Sequence, residues 1–143
     1  MSGSTMDLHK VLDAFWETIA PLRPTSSDSE YQKVASFIAP DAKLYFNGME
    51  APPSIGPQGA VEALKVLTTY WELKERKVVT RATSPDGKTV VAEMNNKVAI
   101  VGSELDLVEV EFAEFSSDGL ITSYRLYVDP EPIKKVISGI TSA

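Results

Sequence analysis

The chain has 143 residues, within the ~100–200 that one domain usually takes, and the expectation is a single domain over residues 1–143. Its composition, 43% hydrophobic and 24% charged, is that of an ordinary folded domain, and the absence of cysteine excludes disulfides, thiolate catalysis and Cys-type zinc sites. A net charge of −6 argues against nucleic acid as a partner, and one histidine, His9, leaves no material for a His-rich metal site or a Ser-His-Asp triad.

The first predicted element is a helix. Leu8, Val11, Leu12, Phe15, Trp16 and Ile19 recur at helical spacing as one apolar stripe, and Pro21 and Pro24 stop it. Ser27-Asp28-Ser29-Glu30 reads as a capping box for a short second helix with Tyr31, Val34, Ala35 and Ile38, ending at Pro40. A strand is expected over Ala42–Asn47, then a proline-dense loop from Ala51 to Pro57, then a third helix from Gln58 to Trp71. Beyond it the apolar period changes from 3.6 to 2. Arg76–Thr83, Lys88–Val101, Glu104–Phe115 and Leu120–Val128 read as strands, separated by the turn sequences Ser84-Pro85-Asp86-Gly87, Gly102-Ser103 and Ser117-Asp118-Gly119. A short tail helix follows around Ile133–Ile137. Short connections make consecutive strands antiparallel neighbours, so the expected class is α+β, with helices on one face of a curved antiparallel sheet. The longest apolar run, Val98–Val101, is far short of a membrane span and no secretory leader is visible, so a cytoplasmic protein without a membrane partner is expected.

Pairing Val101 with Glu104 and Phe115 with Leu120 sets a register. One sheet face then carries Met94 and Asn96, Glu109 and Glu111, and Thr122, Tyr124, Leu126 and Val128, with Asn96 opposite Glu109. Two carboxyls i and i+2 on a strand have Cα atoms about 6.5–7 Å apart. Among apolar neighbours each loses solvation, holds its proton to higher pH and couples to the other, as general acid–base catalysis requires. Acids on a strand also mark a solvent face, with Val108, Val110 and Phe112 as the core, and the residues alone leave both arrangements open. If the acids face inward, those three form an outer apolar patch and a homodimer is expected.

Tyr45-Phe46-Asn47, followed by Pro52-Pro53, Gly56 and Ala60-Val61-Glu62, resembles the limonene epoxide hydrolase pattern. The ending, Asp118-Gly119-Leu120-Ile121 through Tyr124–Asp129, is similar to that family and to its SnoaL-like cousins. The resemblance runs from about Leu8 to Ile137 and implies their shared fold, the cone-shaped nuclear transport factor-like α+β barrel. The Tyr127–Pro132 run is most similar to small fungal SnoaL-like isomerases and cyclases, which implies work without a cofactor on a bulky apolar substrate. By the same resemblance, Tyr45 and Asn47 match the pair that holds the hydrolase's catalytic water. The family's arginine falls at Met94 and its two aspartates at Asn96 and Leu126, so all three charged members are missing. Glu109 and Glu111 fall at inward positions that are apolar or glycine in the hydrolase.

The leading expectation is therefore a cofactor-free isomerase or cyclase acting on a polycyclic terpenoid, meroterpenoid or polyketide intermediate. A protonated Glu109 or Glu111, or Asp129, donates a proton and a second, ionised carboxylate removes one elsewhere, while Tyr45, Asn96 and Tyr124 hold oxygens and Asn47, Met94 and Leu126 line the site. The alternatives are an epoxide hydrolase with a rearranged acid–base set, or a module that binds a ligand or partner without chemistry. Glu62 reads as favourable helix-dipole placement, His9 as structural, and Lys74-Glu75-Arg76-Lys77 as a solvated charge run.

Overall fold

The computed structural model describes residues 6–46 and 51–141. In chain order these form α1 (Leu8–Ile19), α2 (Asp28–Ala35), β1 (Ile38–Tyr45), β2 (Ser54–Ile55), α3 (Gly56–Leu67), β3 (Trp71–Glu75), β4 (Val78–Thr83), β5 (Thr89–Ile100), β6 (Ser103–Phe115), β7 (Ile121–Val128) and α4 (Glu131–Thr141). The apolar stripe of α1 is buried at Leu12, Phe15, Trp16 and Ile19, and Asp7 caps the helix by accepting from the His9 and Lys10 amides. Ser27 and Glu30 form the expected capping box of α2. Gly56 opens α3 with φ +72, and a Cβ there would come within 2.6 Å of the Pro40 carbonyl oxygen, so only glycine seats α3 against β1.

The sheet runs β2-β1-β7-β6-β5-β3, with β4 also paired to β5. It is mixed, which corrects the expected antiparallel sheet: β1 lies parallel to β7, Leu44 beside Tyr124. Three element boundaries also differ. α2 ends at Ala35 and β1 starts at Ile38, because Ile38 belongs to the pleat beside Ile121 rather than to the helix. α3 ends at Leu67, and Trp71 begins β3, which pairs with the end of β5. The tail helix α4 is longer than expected.

The register differs from the expected one by two residues. Ile100 pairs with Ser103, putting Val101 and Gly102 in the turn with φ +48 and +82, so Met94 faces Glu109 and Ala92 faces Glu111. A bulge between Glu114 and Phe115 shifts β7 equally, so Glu109 faces Val128 and Glu111 faces Leu126. A two-residue shift preserves which side chains share a face. The exception is Thr122. Beyond the bulge Ile121 turns inward, and Thr122 is exposed, its hydroxyl donating to the Glu114 carbonyl.

β3 and β4 lie end to end along β5 and break at Arg76-Lys77. The break frees the Arg76 side chain to enter the fold, where it is only 11% exposed. Arg76 is therefore not part of a solvated run, contrary to expectation.

Candidate functional site

The sheet curls around a cavity of about 430 Å³. Its walls are apolar and aromatic: Trp16 from α1, Phe46 after β1, Trp71 and Leu73 from β3, Met94 and Ile100 from β5, Leu107 from β6, Leu126 and Val128 from β7. α4 closes one side with Ile133 and Ile137. The polar side chains among its lining residues are Asn96 and Glu109 inside, with Tyr70 and Lys134 at the exposed rim.

Glu109 is 8% exposed and Asn96 5% exposed. The Asn96 amide nitrogen donates to Glu109 Oε1 at 2.8 Å and lies 3.6 Å from Met94 Sδ. Its oxygen accepts from the Lys77 backbone N–H at 3.3 Å, so the strand break orients the amide. Asn96 and Glu109 are diagonal rather than directly opposite on the two strands, still within reach. Burial raises the proton affinity of Glu109 above that of an ordinary glutamate, and the nearby Glu111 carboxylate adds to this, while the Asn96 hydrogen bond opposes it. The result is a carboxyl that holds its proton to higher pH in an apolar chamber.

Glu111 has a different situation. It is fully buried but does not line the cavity. Oε1 accepts from Trp16 Nε1 at 2.7 Å and from the Tyr124 hydroxyl at 2.6 Å, and Oε2 accepts from Arg76 at 2.6 Å. Arg76 also donates to Asp13 Oδ1 at 2.7 Å, and Arg81 donates to both Asp13 oxygens at 3.1 Å. Alternating charges thus lead from the interior to the surface: Glu111, Arg76, Asp13, Arg81. Burial alone would raise the Asp13 carboxyl, but hydrogen bonds and charge from Arg76 and Arg81 outweigh it and hold the group below the usual aspartate range. The Tyr124 phenol is pushed well above its ordinary value by burial and by the adjoining Glu111, so it remains a donor. Burial would lower Arg76, but Glu111 and Asp13 dominate and strengthen its hold on the proton. Glu111 thus accepts from three donors, and the Tyr124 ring that bonds it packs against Trp16 and Phe46, with ring centroids 5.9 and 5.4 Å away.

The other sequence candidates separate clearly. Met94, Asn96, Leu126 and Glu109 meet at the cavity. Tyr124 is fully buried beneath the cavity wall, bonded to Glu111. Tyr45 does not face the cavity, correcting that expectation: it pairs with outward-facing Arg125, while its neighbours Leu44 and Phe46 are buried. Asp129 lies at the mouth between two lining residues, but it is exposed and its carboxylate accepts from the Glu131 N–H at the start of α4. Asn47 lies outside the described residues. His9 is structural, its ring bonded to the Thr83 hydroxyl at 2.9 Å. Arg76 and Asp13 were missed. Asp13 sits beside the apolar stripe of α1, but nothing local marks Arg76, whose partner is 35 positions away.

No family model matches this chain, and no curated protein matches it in sequence. Solved structures do match. A protein from Shewanella denitrificans described as a SnoaL-like polyketide cyclase has a TM-score of 0.71 at 11% identity, over 92% of this chain and 97% of its own. An LEH-like epoxide hydrolase from M. tuberculosis has a TM-score of 0.67 at 17% identity, over 90% of this chain and 82% of its own. An NTF2-like protein from Anabaena variabilis has a TM-score of 0.66 at 18% identity, over 90% and 94%. Identities this low speak to fold rather than reaction. The chain has the NTF2-like α+β fold, a curled sheet closed by helices around a cavity, shared with structures described as SnoaL-like cyclases and LEH-like epoxide hydrolases.

Proposed function

We propose that this protein is a cofactor-free isomerase or cyclase that uses Glu109 as both acid and base on an apolar, oxygen-bearing molecule. A terpenoid, meroterpenoid or polyketide intermediate is the substrate class in view. The observation that carries the reading is a buried carboxyl, with a raised proton affinity and one hydrogen-bond donor among the described residues, inside an apolar cavity of about 430 Å³. A volume of that size accommodates a small organic molecule and little water.

One such group is enough for an isomerisation. Protonated Glu109 delivers its proton to a carbonyl or epoxide oxygen or to an alkene carbon, leaving a carboxylate beside the developing positive charge. After the ring closes or the double bond shifts, that carboxylate takes a proton from a neighbouring carbon. Glu109 returns to its starting state, and the product has the composition of the substrate. The aromatic rings of Trp16, Phe46 and Trp71 in the wall favour a transient cation, and a bound apolar substrate leaves little room for water to trap it. Asn96 fixes the carboxyl in place. The earlier expectation of two cooperating glutamates gives way to this scheme, because the donors around Glu111 leave it no free access to a substrate.

The test is turnover of a panel of polycyclic terpenoid and polyketide epoxides and enones, followed by mass spectrometry in heavy-oxygen water and in deuterium oxide. The expected product has the substrate's mass in heavy-oxygen water, carries deuterium from deuterium oxide, and forms ~10²-fold more slowly or worse with Glu109→Gln. A product carrying labelled oxygen would instead identify a hydrolase. Unchanged turnover in Glu109→Gln would remove the carboxyl from the mechanism.

A further inference from the structure

Val101 occupies the turn between β5 and β6 with φ +48, followed by Gly102 at φ +82. A two-residue hairpin with both central φ angles positive ordinarily takes Asn-Gly or Asp-Gly, because a β-branched side chain is crowded there by its own backbone. Nothing in the hairpin asks for valine. The residue is 55% exposed and so adds little to the core, and its N–H bond to the Tyr70 carbonyl at 2.8 Å could be made by any residue but proline. What it does is line the mouth of the cavity, together with the exposed Ile137 and with Tyr70, whose ring is apolar below its hydroxyl; Lys134 is the charged residue of the same rim. Backbone strain that the fold does not require concentrates at ligand-contacting positions, and an exposed apolar rim around an apolar chamber marks a binding surface.

We propose that Val101 is a specificity-determining contact of this cavity. Its isopropyl group, held in the left-handed region at a loss of folding stability, closes with Tyr70 and Ile137 over the outer end of a bound molecule. The preferred ligand is therefore polar at one end, where its oxygen reaches Glu109 and Asn96, and apolar at the end that fills the mouth. This rests on the reading of the cavity as the site of an apolar substrate, and specifies which part of that substrate must be apolar.

The experiment compares wild type with Val101→Asn and Val101→Ala, using N-phenyl-1-naphthylamine, a neutral apolar fluorophore, as the probe. Val101→Asn suits the backbone and removes the apolar contact: Tm should rise by about 3–5 °C while probe affinity falls about 3–10-fold. Val101→Ala keeps a Cβ in the left-handed region and sheds the methyl groups, so affinity should fall with little gain in Tm. A rise in Tm with unchanged affinity in both variants would overturn the contact while leaving the cavity as a binding site. A fall in Tm for Val101→Asn would overturn the strain argument on which the proposal stands. Probe binding by none of the three proteins would overturn the cavity as an apolar site, and this proposal with it.

Discussion

Glu109 and Glu111 are two residues apart on the same face of β6, yet they divide two roles between them. Glu109 faces the cavity with one amide donor, whereas Glu111 lies behind the aromatic wall with three donors, one of them a guanidinium. The division is made by their cross-strand surroundings. Glu109 stands opposite Met94 and Val128, and Glu111 stands opposite Ala92 and Leu126, where the Arg76 guanidinium reaches it.

The pH dependence of stability follows from Glu109. Its proton affinity is raised in the folded state, so the native protein binds a proton more readily than the unfolded chain, and this group's contribution falls as pH rises above the ordinary 4.5. Glu109→Gln should lack that component. Tm measured across pH should show the variant gaining on wild type as pH increases, and parallel curves would contradict the burial of the charge.

Asn96 tunes the same carboxyl. Its hydrogen bond favours the ionised form, so Asn96→Ala should raise the proton affinity of Glu109 further. If protonated Glu109 starts the reaction, the alkaline limb of the pH–rate profile moves to higher pH. A limb that stays in place, or moves down, would detach it from Glu109.

Arg76 and Glu111 act as a unit. Removing Arg76 alone, as Arg76→Met, leaves a fully buried carboxylate without its counter-charge and should cost about 3–5 kcal/mol by urea unfolding. Adding Glu111→Gln keeps an oxygen for Trp16 and Tyr124 and removes the orphaned charge, so the double variant should recover about 1–2 kcal/mol. Additive losses would show that the pair is not coupled.

We infer that two copies pair through the outer face of the sheet. Val108 is 62% exposed there, next to the half-buried Val110 and Phe112 and the exposed Tyr127, whose ring packs edge-on against Phe112. Sedimentation should give a dimer for wild type and a monomer for Val108→Glu. A wild-type monomer at micromolar concentration would refute the pairing.

Much of the fold was legible because hydrophobic alternation sets strand faces more firmly than it sets register. Placing the β5–β6 turn one residue too late moved every partner by two, and Met94, Asn96, Glu109 and Glu111 still shared the inner face. Tyr45 was misplaced because Leu44, Tyr45 and Phe46 are all large, so the sequence shows no alternation there. β3 was absorbed into a helix and a charge run because Trp71–Glu75 is short and carries charges on its exposed residues. Arg76 shows why polar sites are harder to read than cores: among charged neighbours it looks solvated, and only the distant break between two strands brings it to Glu111.

The chain has two tryptophans, Trp16 and Trp71, and both stand in the cavity wall with ring centroids 6.5 Å apart. All indole emission therefore originates at the chamber's own surface. Any molecule that enters must change the polarity or the quenching felt by those two rings, so the protein carries a built-in optical sensor of occupancy that needs neither dye nor label.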